Sequence, residues 1–391
     1  MRILQVIPAF STSFGGTSSV VRMISKELAK KHEVTVYTTS ALDHTHDSRS
    51  YPSEAWLDNY HVFYFPRVFT FTGYNISLSM MRNLPVIVKD YDIIHLHSWR
   101  NFQDIIVNYY GKKNKIPYVL QAHGSLPKMA SKQGLKRLYD KAFGCRLLND
   151  ASMVIAFNSM EAKQCQSLGV PESKISVVPN GIDLTKFTHL PHSGFFRKKF
   201  CISEGKKIIL YLGRINKTKG IDFLITAYAA MIKASNHNNT ILVVAGPDDG
   251  HLNSLKLLAR TLDLTRKEIL FTGLLTEHEK MCALVDSAIV VYPSPFEPFG
   301  LVSLEAAASY KPVIVSSNTP MATTIKEGGF GFSVPYGNIN ELSESIDKLI
   351  DNDQLLQDMG RKGHDIVFQN YDLACVVSKL EGVYKDTISK S

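Results

Sequence analysis

The 391-residue sequence has no apolar run approaching the ~18–20 residues that a membrane-spanning helix needs, which excludes a helical integral membrane protein. Its opening run, MRILQVIPAF, is too short and too soon broken for a secretory leader and reads as a strand. Cysteine is scarce: the five residues at 145, 165, 201, 282 and 375 are scattered, odd in number and form no CxxC. That excludes a disulfide framework and a zinc ribbon, and leaves reduced thiols of a cytoplasmic protein, each filling the role of a small core residue. No short-period repeat or low-complexity tract is present, so solenoids and disordered linkers are excluded. No helix-turn-helix, zinc-finger or RNP motif occurs, and nucleic acid is not an expected partner.

What is present is the composition of a soluble globular protein, 45% hydrophobic and 20% charged, in a chain long enough for two cores. The net charge of +8 is unevenly spread. Residues 1–180 hold 21 Lys and Arg against 13 Asp and Glu, whereas the remainder holds 23 of each. Part of the excess lies in KMASKQGLKRLYDKAFGCR (128–146), with Lys128, Lys132, Lys136, Arg137, Lys141 and Arg146. Such a segment suits anionic lipid head groups or phosphates, or else a solvated helix face.

Along the first half, strand-like runs (RILQVIPAF, VTVYTT, IIHLHS, YVLQAH, MVIAF) alternate with helix-capable ones. Residues 61–81, HVFYFPRVFTFTGYNISLSMM, are aromatic-rich without clean periodicity and read as an insertion, either a hairpin over the core or a surface for an acceptor or membrane. Pro179, Asn180 and Gly181 form a turn after ISVV, and the domain boundary is drawn just beyond it. The alternation then restarts: KIILYLGR, TILVVAGP, EILFTG, IVVYPS and PVIVSS are strands, with helices between and two at the end. The expected fold is α/β, with two Rossmann-like doubly wound domains facing across a cleft and ligands at the carboxyl ends of the strands. The expected boundaries are 1–183, 184–370 and a C-terminal helix, 371–391, returning to the first domain.

Several strand ends carry candidate chemistry. Gly15 and Gly16 follow the first strand and precede a helix with Thr17 or Ser18 as N-cap, a place for phosphate or simply a tight turn. The pattern is not GxGxxG and no acid follows the second strand, so a nicotinamide-dinucleotide site is not supported. In LGRINKTKGID, Arg214 offers a planar fork and Lys219 a point charge, together matched to a diphosphate. His123, before Gly124, stands at a strand end. His95 and His97 share one strand face, but no third metal ligand follows from the sequence; DHTH (43–46) reads as a loop. In SPFEPFGLVSLEAA, Glu297 and Glu305 are eight positions apart across a turn, which does not make an acid/base dyad. The backbone amides of Phe299, Gly300 and Leu301 open a helix and suit sugar hydroxyls or phosphate.

These motifs resemble the retaining glycosyltransferases of family 4 (glycosyl transferases group 1), which have the GT-B fold. The resemblance runs over nearly the whole chain: GG in the first loop, HG at 123–124, VVPNGID, GR…KG from Arg214 to Gly220, and SPFEPFGLVSLEAAA, the E-x7-E motif. It implies a nucleoside-diphosphate-sugar donor and no cofactor or metal. Arg214 and Lys219 would grip the diphosphate, Glu297 the transferred sugar and Glu305 the ribose. Phe299, Gly300 and Leu301 would add amides, Gly273 and Leu274 would flank the base, Gly15 and Gly16 would close over the phosphates, and His123 would stand by the sugar. The implied reaction is a front-side displacement that moves a hexose with retention onto a glycan or lipid-linked acceptor, with domain closure around the donor. A peripheral position on the inner face of a membrane follows from the basic first half. A non-catalytic sugar-nucleotide binder and a nucleotide-sugar hydrolase or epimerase are the competing expectations. The sequence departs from the family pattern at Tyr310 before Lys311-Pro312, and in NTPMATTIKEGG, which reads as a loop.

Overall fold

The computed structural model describes residues 1–10, 16–39, 53–71, 74–126, 133–235, 239–297 and 299–391. They form two compact units, Met1–Gly181 with Leu373–Ser391, and Ile182–Asp372.

The first unit contains β1 (Arg2–Ala9), β2 (Glu33–Thr39), β3 (Glu54–Leu57), β4 (Tyr60–Phe65), β5 (Phe69–Phe71), β6 (Tyr74–Ile76), β7 (Ile93–His97), β8 (Tyr118–Gln121), β9 (Met153–Ala156) and β10 (Ile175–Val177). Eight of them make one sheet in the order β10-β9-β8-β7-β1-β2-β4-β3, parallel except for the edge strand β3. The central strands are near-continuous apolar runs because helices cover both faces of such a sheet. The strand order reverses between β1 and β7, whose register sets Gln5 beside His95.

The 61–81 segment is not an insertion. Its first part is β4, a parallel neighbour of β2; Phe69–Phe71 and Tyr74–Ile76 form a small hairpin, and Leu78–Ile87 is a helix. Aromatic side chains take the place of aliphatic ones in β4, with Tyr60, Val62, Tyr64 and Phe65 buried, and this hides its alternation. Helix Gly16–Leu28 begins earlier than expected, so Thr17 and Ser18 lie inside its first turn; the Ser18 hydroxyl donates to the Ala9 carbonyl at 2.9 Å. Cys165 and Cys282 are buried, but Cys145, Cys201 and Cys375 are exposed, against the expectation of five core thiols. Gly15, DHTH (43–46), Lys128, Lys132 and Pro298 lie outside the described residues.

The C-terminal helix Leu373–Ser389 belongs to this unit. Leu373, Val376, Val377, Leu380 and Tyr384 recur at helical spacing and are buried. Lys31 and His32, just beyond helix Gly16–Leu28, both face Glu381, at 3.8 and 3.4 Å. Gly181 touches the start of the C-terminal helix so closely that a Cβ there would lie 2.8 Å from the Leu373 Cα, which accounts for glycine at the end of the PNG turn.

The second unit contains β11 (Lys207–Leu212), β12 (Thr240–Ala245), β13 (Ile269–Gly273), β14 (Ser287–Tyr292), β15 (Val313–Ser316) and β16 (Gly331–Val334). All are parallel, in the order β13-β12-β11-β14-β15-β16, so the winding reverses between β11 and β14. The stretch NTPMATTIKEGG is largely helical, Pro320–Gly328, with proline in the first turn and Gly329 left-handed at the C-cap. A helix at Asp353–Asn370 and strand β16 are also beyond the sequence reading; the helix carries two glycines, Gly360 and Gly363, that blur its periodicity.

Candidate active site

In an open parallel sheet, ligands gather outside the carboxyl ends of the strands where the winding reverses. In the second unit that place is formed by the loops after β11 and β14. The first carries Arg214 and Lys219, the second Glu297. The two loops touch at Gly220, which has φ +69° and leaves no room for a side chain: a Cβ would stand 2.6 Å from the Pro293 carbonyl oxygen. The Ser294 hydroxyl also reaches the carbonyls of Thr218, at 3.3 Å, and Phe296, at 2.8 Å.

This contact brings Lys219 and Glu297 together, Nζ to Oε2 at 2.9 Å, with side chains 18% and 17% exposed. The Tyr292 hydroxyl donates to the same Oε2 at 2.9 Å, and the Gly300 N–H donates to Oε1 at 3.3 Å. Tyr292 stacks in parallel on Tyr211, whose hydroxyl in turn donates to the Arg214 carbonyl at 3.0 Å. Burial, and then the Glu297 charge, push the Tyr292 phenol far above its ordinary pKa, so it remains a proton donor. Of the three amides expected to face a ligand, that of Gly300 is turned to Glu297.

The Arg214 side chain, 55% exposed, meets Asp249 at 2.9 Å. Asp249 sits in the loop after β12 and also accepts from Asn216 Nδ2 at 3.1 Å; backbone bonds between Ile215, Pro247 and Asp249 lock the two loops. An ion pair this exposed is worth at most about 1 kcal/mol, so another anion can take the guanidinium from Asp249.

Glu305 lies in helix Leu301–Ala308, which starts at the left-handed Gly300. It pairs with Lys280 at 2.8 Å, and Lys280 also lies 3.4 Å from Glu277. Burial lowers the Lys280 pKa, but the two carboxylates outweigh it and the net shift is upward, so Lys280 is a fixed cation. Gly273, at the end of β13, has φ +76°, and Leu274 beside it is 75% exposed. Asn216, Asp249, Lys280 and Tyr292 are additions to the residues expected from the sequence. Asp249, in the turn GPDDG at a strand end, carries a readable signal; Lys280, on an ordinary charged helix, carries none.

In the first unit, Gly16 opens its helix with nothing within 4 Å of a built Cβ. His123 adopts φ +50° and is followed by Gly124 at +76°. Glu161 fixes this turn, accepting the N–H of Gly124 at 2.7 Å and of Phe157 at 3.0 Å. The His123 imidazole is not presented alone at the strand end: its Nε2 meets His97 Nδ1 at 2.9 Å, and burial pushes its pKa down to about 3, so the ring is neutral. His95 and His97 are hydrogen-bonded to protein groups, and among the described residues no cluster of three or more His, Cys, Asp or Glu is placed to hold a metal ion. No helix among the described residues is long and apolar enough to cross a membrane.

Two family models match the chain: Glycosyltransferase Family 4 over residues 14–186 and Glycosyl transferases group 1 over residues 193–365. The chain is 24% identical over 384 residues to the N-acetyl-alpha-D-glucosaminyl L-malate synthase of Bacillus anthracis, covering 96% of this chain and 95% of that one. It is 26% identical over 367 residues to the alpha-monoglucosyldiacylglycerol synthase of Streptococcus pneumoniae, covering 90% and 78%. Its fold matches the Anabaena protein HepE, solved in complex with UDP and glucose, with a TM-score of 0.78 at 19% identity, over 99% of this chain and all of that one. The matched models, together with the motif loops built on two parallel sheets, make this chain a GT-B glycosyltransferase of group 1 and family 4.

Proposed function

We propose that the enzyme moves a hexose from a nucleoside diphosphate to a glycan or lipid-linked acceptor with retention of anomeric configuration, using no metal or other cofactor. The carrying observation is the Lys219–Glu297–Tyr292 cluster at the winding reversal of the second unit. Lys219 and Arg214 stabilise the negative charge that builds on the leaving diphosphate, a preorganised role that is worth most where water is excluded. Glu297 accepts from a lysine, a phenol and a backbone amide. A carboxylate so engaged is a poor nucleophile and a good anchor for sugar hydroxyls. That favours front-side departure and attack, in which the donor phosphate takes the acceptor proton, over a covalent enzyme intermediate. Glu305, held by Lys280, accepts from the ribose hydroxyls, and Gly273 and Leu274 border the base. Phe299, Gly300 and Leu301 line the helix start beside the sugar, while Gly15, Gly16 and His123 take the donor roles that the family resemblance implies, Gly15 and Gly16 for the phosphates and His123 for the sugar.

The acceptor reading rests on the first unit. Arg137, Lys141 and Arg146 are exposed along 133–150, beside Leu138 (65% exposed) and Phe143. Cations flanking apolar side chains suit an anionic bilayer surface, where a lipid-linked acceptor would be met. The relatives that make a glucosaminyl malate and a glucosyl diacylglycerol span a soluble and a lipid acceptor.

The deciding experiment presents a panel of UDP- and GDP-hexoses with candidate acceptors and reads the product anomer by proton NMR. An α-linked product from an α-linked donor is expected; a β-linked one overturns the retaining reading. Donor turnover that is indifferent to acceptor would make the protein a hydrolase instead. Sedimentation with anionic vesicles at low salt tests the membrane surface, and no co-sedimentation removes it.

A further inference from the structure

Polar side chains inside an apolar sheet are costly unless each has a partner. Gln5 on β1, His95 and His97 on β7 and Tyr384 on the C-terminal helix are all fully buried. They form one chain. The Tyr384 hydroxyl meets His95 Nδ1 at 2.6 Å and receives Gln5 Nε2 at 3.4 Å. Gln5 Oε1 meets His97 Nε2, and His97 Nδ1 meets His123 Nε2 at 2.9 Å. His123 Nδ1, the last atom of the chain, is buried and has no partner among the described residues.

The polarity of this chain is set by the orientation of the Gln5 amide. A carboxamide oxygen only accepts, so His97 carries its proton on Nε2. Its Nδ1 is then a bare lone pair, because burial and the neighbouring imidazoles hold the ring neutral. His123 must therefore donate from Nε2, which leaves Nδ1 bare. With this amide orientation the Tyr384 hydroxyl accepts from Gln5 Nε2 and donates to His95 Nδ1, and His95 Nε2–H is left buried with no partner among the described residues. Reversing the Gln5 amide would reverse every bond and put the proton of His123 on Nδ1.

We propose that Tyr384, Gln5 and His97 are positioning residues that hold His123 as the Nε2–H tautomer, keeping its Nδ1 lone pair as an acceptor for a hydroxyl of the transferred sugar. The proposal rests on the reading above that His123 serves the sugar. It gives the C-terminal helix a chemical role, because a hydroxyl near the end of the chain sets which nitrogen carries the proton at residue 123. Gln5, His95, His97 and Tyr384 are fully buried, so bulk water does not compete for the bonds among them. The left-handed backbone at His123, clamped through Gly124 by Glu161, is the local strain that such a fixed orientation requires.

Long-range proton–nitrogen NMR of the full chain, with His123 signals identified against His123→Ala, tests this directly. The expected wild-type spectrum at neutral pH shows His123 protonated at Nε2 and bare at Nδ1. Tyr384→Phe, which keeps the ring, is expected to give both tautomers and to lower kcat about tenfold, the loss of one well-placed hydrogen bond. Wild-type His123 protonated at Nδ1, or cationic, overturns the proposal, as does an unchanged His123 spectrum in Tyr384→Phe. The expected tautomer together with full transferase activity in His123→Ala leaves the relay standing and instead overturns the sugar role of His123.

Discussion

Lys219 Nζ and Glu297 Oε2 are 2.9 Å apart, so the cation assigned to the diphosphate and the carboxylate assigned to the sugar form a single unit. Residues in direct contact couple energetically. Lys219→Ala and Glu297→Ala should each lower kcat/KM by roughly a hundredfold, as loss of one preorganised charge does. The double variant should fall little further than the worse single one. Steady-state kinetics on the four proteins gives the coupling directly, and strictly additive losses would mean that the two side chains act independently.

Tyr292 donates to the same Glu297 oxygen while its ring stacks on Tyr211. Tyr292→Phe keeps the stack and removes only the O–H. A hydrogen bond to a charged group contributes about 1.5–3 kcal/mol, so kcat should fall roughly tenfold to a hundredfold. Thermal unfolding should move little, because the phenylalanine fills the same volume. A loss of stability with kcat intact would make the phenol a structural group.

Lys280 holds Glu305 at 2.8 Å from a neighbouring helix. If Glu305 grips the ribose, it binds ground and transition states alike, and its loss appears in KM rather than kcat. Lys280→Met and Glu305→Gln should therefore each raise the donor KM, by roughly tenfold for one orienting contact, with kcat nearly unchanged. Calorimetric titration with nucleoside diphosphate should weaken in parallel. A fall in kcat at constant KM would move Glu305 to the reacting centre.

Much of this site is legible in the residues. Arg214, Lys219 and Glu297 lie at strand ends, where an open α/β sheet gathers its ligands, and the strands themselves are plain apolar runs. Pairing in space is not legible in this way. Lys219 and Glu297 are separated by three further strands in the chain, and only the winding reversal between β11 and β14 makes them neighbours. Asp249 and Lys280 reach Arg214 and Glu305 in the same way: the GPDDG turn marks Asp249 as a strand-end acid but not its partner, and nothing local marks Lys280. The buried chain from Tyr384 to His123 is the extreme case, since its first hydrogen bonds join residues 384 and 5. Strand β4 escapes for a different reason: aromatic residues build a half-buried alternation that a search for aliphatic runs passes over.

Glu161 makes the turn at His123 sensitive to pH. Burial raises its carboxyl from 4.5 to about 7, while the N–H groups of Phe157 and Gly124 pull the other way. The folded state thus holds this proton more tightly than the unfolded one. Where the native state binds more protons, stability falls as pH rises. The contribution of Glu161 is therefore fully present below about pH 4.5 and is lost as pH climbs through about 7. A tenfold change in proton affinity is worth ~1.4 kcal/mol, which makes the full change roughly 3 kcal/mol. Glu161→Gln cannot titrate and loses this slope, although its amide also disturbs one of the two N–H contacts and lowers stability by a constant amount. Melting temperatures of both proteins, measured from about pH 5 to 8, should converge as pH rises, because every other titrating group cancels in the difference. Parallel curves would mean that Glu161 is ionised throughout and that the clamp on Gly124 does not respond to pH.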